Sequence, residues 1–350
     1  MRKKNQGDTL FQKAAAVSSL LRSMIIGICI FLILVYGSIF LWPIVPKQSN
    51  TQDATVYKVK IAPQSSLAGI AEQLRNQGLS TYTLPLQISA KALFVGSKLK
   101  PGTYLLPINA SIGKVLLQFA RGDRVRESIA IIPGMTIWQL RNQIDSHPAL
   151  IHQTKGLSPK ALLQSLNLNY PNDEGLFFPD TYIFDPDELD LNIYRRASQA
   201  MQKQLAQAWA QKPADSPLKS PYELLILSSI IEKETGKSSD RGHVSAVFIN
   251  RLSKGMLLQT DPTVIYGIGP RFDGNLRKAD LRRDTPYNTY MRKGLPPSPI
   301  AMPSRESIMA AVNPAKTNAL YFVAKGDGSS HFSETLAEHE SAVNRYQRKQ

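Results

Sequence analysis

The chain has 350 residues, 43% of them hydrophobic, enough for two or three domains with cores of their own and too apolar for a disordered polymer. Forty-two lysines and arginines against 27 acidic residues give a net charge of +15, which favours anionic partners: nucleic acid, lipid headgroups or a carboxylate-bearing polymer. The only cysteine is Cys29, which excludes a disulfide framework and a cysteine metal site.

Residues 24–42, MIIGICIFLILVYGSIFLW, carry no charge. As a helix they would reach roughly 28 Å, close to the ~30 Å hydrocarbon core of a bilayer. Arg2, Lys3, Lys4, Lys13 and Arg22 precede the run, against Asp8 alone, so residues 1–23 are expected in the cytoplasm and the rest outside an inner membrane. The run exceeds the ~7–15 apolar residues of a signal peptide and ends in LWPIVP rather than in small residues. An uncleaved anchor is therefore expected, with Trp42 at the interface. With the basic part outside the cytoplasm, nucleic acid drops out as a partner.

Residues 43–54 (PIVPKQSNTQDA) are polar, proline-containing and aperiodic, as a tether would be. "VYKVKIAP" alternates as a half-buried strand does. "SSLAGIAEQLRNQGL" has a serine cap, apolar residues at helical spacing and a terminal glycine. "LPLQISAKALF" suggests a second short helix and "LKPGTYLLP" a second strand. This strand–helix–helix–strand order over residues 55–125 resembles the LysM glycan-binding module, and a generic α+β linker domain fits the pattern equally well. Next, "NASIGKVLLQFARG" and "PGMTIWQLRNQI" each set a turn or cap before an apolar helix, with "VRESIAII" as a strand between them. A larger mixed α/β domain is expected over residues 126–350, giving an α+β chain overall. In it "SPKALLQSL", "DLNIYRRASQAMQKQLAQAWAQK", "SPYELLILSSIIEKET", "VSAVFINRLSKGM" and the terminal "ETLAEHESAVNRYQRKQ" read as helices. "ALYFVAK" reads as a strand.

Four stretches of this domain could carry chemistry. In the helix after Ser220, Leu225, Ser228, Ser229 and Glu232 share one face, while Leu227, Ile230, Ile231 and Glu234 lie around the other sides. The two glutamates therefore cannot both enter one pocket. An apolar wall beside Glu232 would raise its pKa and suit a general acid; otherwise Glu232 is where a core helix meets water. "LQTDPTVIYG" gathers Gln259, Thr260 and Asp261 before Pro262, with Tyr266 following, a set that suits a sugar or an ordinary Asx turn. "TPYNTYMRKGLPPSPIAMPS" places Asn288 and Tyr290 in a proline-rich, rigid loop. "EGLFFPDTY" offers Asp180 and Tyr182 as groove residues, or as the polar end of a core strand. The five histidines show no HExxH, and His331 and His339 are too loosely spaced for a helical ligand pair, so neither metal nor cofactor is expected.

Taken together, "EGLFFPDTY", "SSIIEKET", "VFINRL", "LQTDPTVIYG", "YNTY", "NPAKT", "LYFVA" and "HFSETLAEHE" resemble, in order, the MltG (YceG-like) family of endolytic murein transglycosylases. The resemblance covers nearly the whole exported chain and the anchor. It implies a bitopic inner-membrane lyase that cleaves the MurNAc–GlcNAc β-1,4 bond of peptidoglycan strands and leaves a 1,6-anhydro-MurNAc end, with glycan strands and peptidoglycan synthases as partners. It also implies that the first glutamate of "EKET", Glu232, is catalytic; the polar side chains picked out above, Gln259, Thr260, Asp261, Tyr266, Asn288, Tyr290, Asp180 and Tyr182, are then expected around the sugar. Leu176 and Phe178 stand where relatives can carry tryptophan, and Ser298 where glycine is usual, which bears on substrate preference. A single carboxyl suits a transglycosylase, because the substrate's own C6 hydroxyl is the nucleophile, whereas a hydrolase needs two. The rival expectations are a muramidase, with Asp180 or Asp261 as second carboxylate, and a non-catalytic glycan-binding scaffold.

Overall fold

Residues 24–41 of the charge-free run form the C-terminal part of a 37-residue helix, α1 (Asn5–Leu41). Its segment Ser18–Leu41 is long and apolar enough to cross a membrane by length and composition. The helix stops just before Pro43, whose ring disfavours helical backbone in the residue ahead of it. The computed structural model describes residues 5–46, 56–234 and 237–347, and the chain divides into two units, Met1–Arg126 and Glu127–Gln350.

After α1 the first unit runs β1 (Val56–Ile61), α2 (Leu67–Asn76), α3 (Thr83–Ala92), β2 (Gly102–Pro107) and α4 (Ile112–Arg121). The expected strand–helix–helix–strand order is present, with β1 and β2 antiparallel from Val56↔Pro107 to Ile61↔Gly102. Ser66 caps α2 by accepting from the Gly69 amide at 3.1 Å, and Ser111 caps α4 through Lys114. Val59, Leu74, Leu86, Tyr104, Leu116 and Phe119 fill the core. Residues 43–46, read above as the start of a tether, pack into this unit instead. Ile44 and Val45 are buried, the Ile44 amide donates to Ala110 O at 3.0 Å, and its carbonyl accepts from Ser80 N at 2.8 Å. Two branched apolar side chains gain more from the core than the short segment loses in chain freedom. The rest of that segment, 47–54, lies outside the described residues.

The second unit comprises β3 (Glu127–Ala130), α5 (Ile137–Asp145), β4 (Leu150–Ile151), α6 (Pro159–Ser165), β5 (Thr181–Phe184), β6 (Glu188–Leu189), α7 (Asp190–Trp209), α8 (Pro221–Glu234), α9 (Arg241–Ser253), α10 (Asp261–Ile268), α11 (Lys278–Arg282), α12 (Arg305–Val312), β7 (Tyr321–Ala324), β8 (Ser330–Ser333) and α13 (Leu336–Tyr346). Its sheets are two-stranded: β3 with β5, β4 with β6, and β7 with β8. Helices make the body, and α8 is its axis. Leu224, Leu225, Ile226, Leu227, Ile230 and Ile231 are all buried, because α7, α9, α10 and α12 pack against α8. "LQTDPTVIYG" differs from the turn reading. Asp261–Ile268 is a helix, with proline in its first turn and Thr260 at the cap position.

Candidate active site

The two glutamates of α8 leave the helix in different directions. Glu232 continues the polar stripe of Ser228 and Ser229 and faces α12. Its Oε2 accepts from Ser304 N (2.9 Å), Ser304 Oγ (2.5 Å) and Ser307 Oγ (2.7 Å), so it closes the N-terminus of α12, where a carboxylate complements the helix dipole. One turn back, Ser229 Oγ accepts from Ile300 N at 3.0 Å on the same side. The expected apolar wall around Glu232 is therefore absent: three hydroxyl and amide donors hold it.

Glu234 continues the stripe of Leu227 and Ile230 and reaches a cleft of about 570 Å³. The cleft is lined by Glu234, Arg251, Gln259, Asp261, Tyr290 and Tyr321, among others, and Glu232 is not one of its lining residues. Thr260 Oγ donates to Glu234 Oε1. Burial pushes the Glu234 carboxyl above its ordinary value; the Thr260 hydrogen bond opposes the rise and the neighbouring Asp261 charge adds to it. Tyr290 Oη donates to Asp261 Oδ1 at 2.5 Å. Gln259 has left-handed backbone (φ 51°), an uncommon conformation for a residue with a side chain, fixed by a bond from its amide to Thr289 O at 3.1 Å.

The structure divides the sequence-predicted residues into three groups. Gln259, Asp261 and Tyr290 meet at the cleft, and Thr260 stands behind Glu234, buried, as its orienting hydroxyl. Tyr266 lines a separate cavity of about 360 Å³ with Trp138, on which its ring stacks at 4.9 Å. Asn288, Asp180 and Tyr182 do not line the cleft. Asn288 is fully buried, and its amide donates to the carbonyls of Asp280, Leu281 and Arg283 while its Oδ1 accepts from Tyr290 N, so its hydrogen-bonding capacity is spent on the loop. Tyr182 belongs to the core and donates to Phe178 O at 2.7 Å. Asp180 turns onto the Thr181 amide at the exposed start of β5.

Arg251 and Tyr321 also line the cleft and were not singled out by the sequence, and His339, considered above only as a metal ligand, joins them. A lone arginine in the apolar helix "VSAVFINRL" was the available signal, since an arginine on a buried face needs partners. Ser298, the departure from glycine, is buried and shares a 2.7 Å hydrogen bond with Tyr287 Oη.

The sequence profile of the YceG-like family matches residues 59–345. The chain belongs to the YceG-like family. An endolytic murein transglycosylase of Bacillus subtilis is 40% identical over 180 residues, which is 51% of this chain and 49% of the relative. One from Streptococcus pneumoniae strain D39 is 33% identical over 180 residues, 49% of this chain and 31% of the relative. The chain thus matches about half or less of the length of these curated relatives. The crystal structure of a yceG-like protein from Listeria monocytogenes superimposes with a TM-score of 0.53 at 28% identity, covering 82% of this chain and 98% of that one.

In this YceG-like chain "EGLFFPDTY" serves the framework. Glu174 is fully buried; its carboxyl accepts from Ile137 N at 2.9 Å and Gly175 N at 3.1 Å and bonds Tyr266. Burial pushes its pKa from 4.5 up to about 8, against those three hydrogen bonds, with Asp173 adding to the rise. The folded state therefore holds a proton that the unfolded chain releases above about pH 4.5, and stability falls as pH rises from there to about 8. The slope is at most about 1.4 kcal/mol per pH unit. Glu174→Gln should flatten that part of the pH–stability curve in chemical denaturation; an unchanged slope would sink the assignment.

Gly175, next to it, has φ +77°, and a Cβ there would lie 2.5 Å from Pro299 Cβ. Gly175→Ala combines left-handed strain with a clash against a ring that cannot yield, and should cost about 2–4 kcal/mol in thermal or chemical unfolding. A cost below half a kcal/mol would show that the loop of Pro299 gives way.

Among the described residues, Asp145, His152 and Asp190 bring ligand-capable atoms within 4.8 Å of one another. Asp190 is fully buried, and its oxygens accept from Gln153 N (3.0 Å), Thr154 N (3.0 Å) and Thr154 Oγ (2.7 Å). That carboxylate clamps the turn after β4.

Proposed function

We propose that this chain is a membrane-anchored lytic transglycosylase that cuts peptidoglycan strands internally, with Glu234 as its acid and base. The observation that carries the reading is the Glu234 carboxyl at the wall of the cleft, with its pKa raised and its Oε1 held by Thr260. The names of the relatives support the substrate class. A protonated Glu234 gives its proton to the oxygen of the MurNAc–GlcNAc β-1,4 bond. The MurNAc C6 hydroxyl then attacks C1 and returns a proton to Glu234, closing a 1,6-anhydro ring without consuming water. Gln259, Asp261 and Tyr290 orient the sugar and offset positive charge at C1. Glu232, the residue implied by family resemblance, is in this reading the support of α12.

In the same reading α1 spans the inner membrane with residues 1–23 cytoplasmic and the catalytic unit periplasmic. The strand–helix–helix–strand segment is a LysM-like glycan contact, and peptidoglycan synthases are partners. The net charge of +15 suits a carboxylate-bearing polymer beside an anionic membrane.

The test is mass spectrometry of products from purified sacculi incubated with the detergent-solubilised full chain. Anhydro ends support the transglycosylase. Ends one water heavier assign hydrolysis, with Asp261 as second carboxylate. Binding without any product assigns a scaffold.

A further inference from the structure

We propose that α3 lies in the outer interface of the bilayer, so that the first unit rests on lipid as well as being tethered to it; this builds on reading α1 as an anchor. Tyr36 Oη, on α1, donates to the Ala92 carbonyl at the C-terminus of α3, at 2.8 Å. Tyr36 lies within Ser18–Leu41, five residues before its end, so the end of α3 sits roughly 7.5 Å below the outer end of the span. At the other end of α3, Tyr82 and Pro85 share with Ile39 and Trp42 an apolar cavity of about 390 Å³ that extends to Ser89. α3 therefore runs alongside the last turns of the anchor. The 24-residue span is roughly 36 Å long against a ~30 Å hydrocarbon core. Its outer turns, with Tyr36, and Trp42 just beyond them then occupy the depth where aromatic belts sit, and α3 shares that depth.

The side chains of α3 fit such a place. Leu86 and Ala90 face the protein core, yet Leu84 and Ile88, one turn apart on the other side, are 65% and 50% exposed. A helix that is apolar on both faces needs a second apolar neighbour. Phe94, just beyond its end, is 80% exposed and held in left-handed backbone (φ 56°) by bonds from its amide to Lys91 O and from Val95 N to Ala90 O. Lys91 and Lys98, both exposed, flank Phe94 and suit lipid phosphates. The unit cannot swing away from the anchor easily. Gly113 of α4 lies where a Cβ would be 2.8 Å from Ile39 and 2.9 Å from Phe40, and the Tyr36 bond adds a second tie.

The test places single nitroxide labels on the full chain, in a Cys29→Ala background, reconstituted into vesicles of phosphatidylethanolamine and phosphatidylglycerol. Ile88→Cys and Phe94→Cys are exposed positions whose change leaves the core intact. Ile33→Cys reports the span, and Asp123→Cys, beyond the far end of α4, reports water. The expected result is oxygen-favoured collision at 88 and 94, as at 33, and nickel-chelate-favoured collision at 123. Chelate-favoured collision at 88 and 94 with 33 in lipid would overturn the docking and leave the anchor standing. Chelate-favoured collision at all four would overturn the anchor and the docking with it. Dipolar broadening at 94 that disappears on dilution with unlabelled protein would assign the face to a second copy and overturn the lipid contact.

Discussion

Glu234→Gln is expected to abolish release of anhydro-muropeptides while leaving the protein folded. Removing a positioned acid–base group lowers turnover by about 10²–10⁴-fold. Glutamine keeps the shape and can still accept from Thr260, but it has no proton to give the glycosidic oxygen. Because the folded state raises the Glu234 pKa, the native carboxyl carries a cost in stability once pH exceeds its unfolded value. The variant should therefore be as stable as the native chain at neutral pH, or more so. The same shift sets the rate profile: the acid form is lost as pH rises through the raised pKa, so native turnover should fall on the alkaline side later than for an ordinary carboxyl.

Glu232→Gln is the matched control and should behave in the opposite way. Three donors from Ser304 and Ser307 converge on one oxygen of Glu232. Losing the charge in those bonds should cost about 1–3 kcal/mol of stability, seen as a lower Tm, with product release surviving. If Glu232→Gln silences the enzyme at native stability while Glu234→Gln turns over normally, the roles are exchanged.

Arg251→Met should produce the largest loss of stability among cleft substitutions, with a raised KM. Arg251 is 8% exposed, and its Nε donates to Leu320 O at 2.7 Å. Its Nη1 lies 3.1 Å from Leu257 O, 2.9 Å from Leu258 O and 3.3 Å from Gln259 Oε1. The guanidinium also packs 5.1 Å from the Tyr321 ring centre. One side chain thus joins the entry of β7 to the segment that delivers Gln259 and Thr260. Methionine fills much of the volume but leaves several carbonyls without a donor, at about 1–3 kcal/mol for each one that water cannot reach. Lysine should not rescue it, since an ammonium cannot span the fork that a guanidinium does. Thermal unfolding with steady-state kinetics checks this; an unchanged Tm for Arg251→Met would refute it.

Much of the architecture is legible in the residues because it rests on local chemistry. A charge-free run predicts α1, serine caps announce α2 and α4, and helical spacing marks α7 and α8. The motifs "EKET" and "LQTDPTVIYG" both contribute residues to the cleft, and helix geometry alone separated Glu232 from Glu234. What spacing could not say is which face of α8 meets the cleft. That depends on α12 arriving with two serines to occupy Glu232, from more than seventy positions away, and on Thr260 reaching Glu234. Asn288 and Tyr182 illustrate the same limit. Each carries a polar group that could bind sugar in isolation, and burial and loop carbonyls claim it first. The sequence by itself determined most of the longer helices, the apolar N-terminal run and the family, since periodicity, capping and motif order are local properties of the chain. Only the tertiary structure decided which carboxyl faces the cleft, because a side chain's partners are set by elements that meet in space.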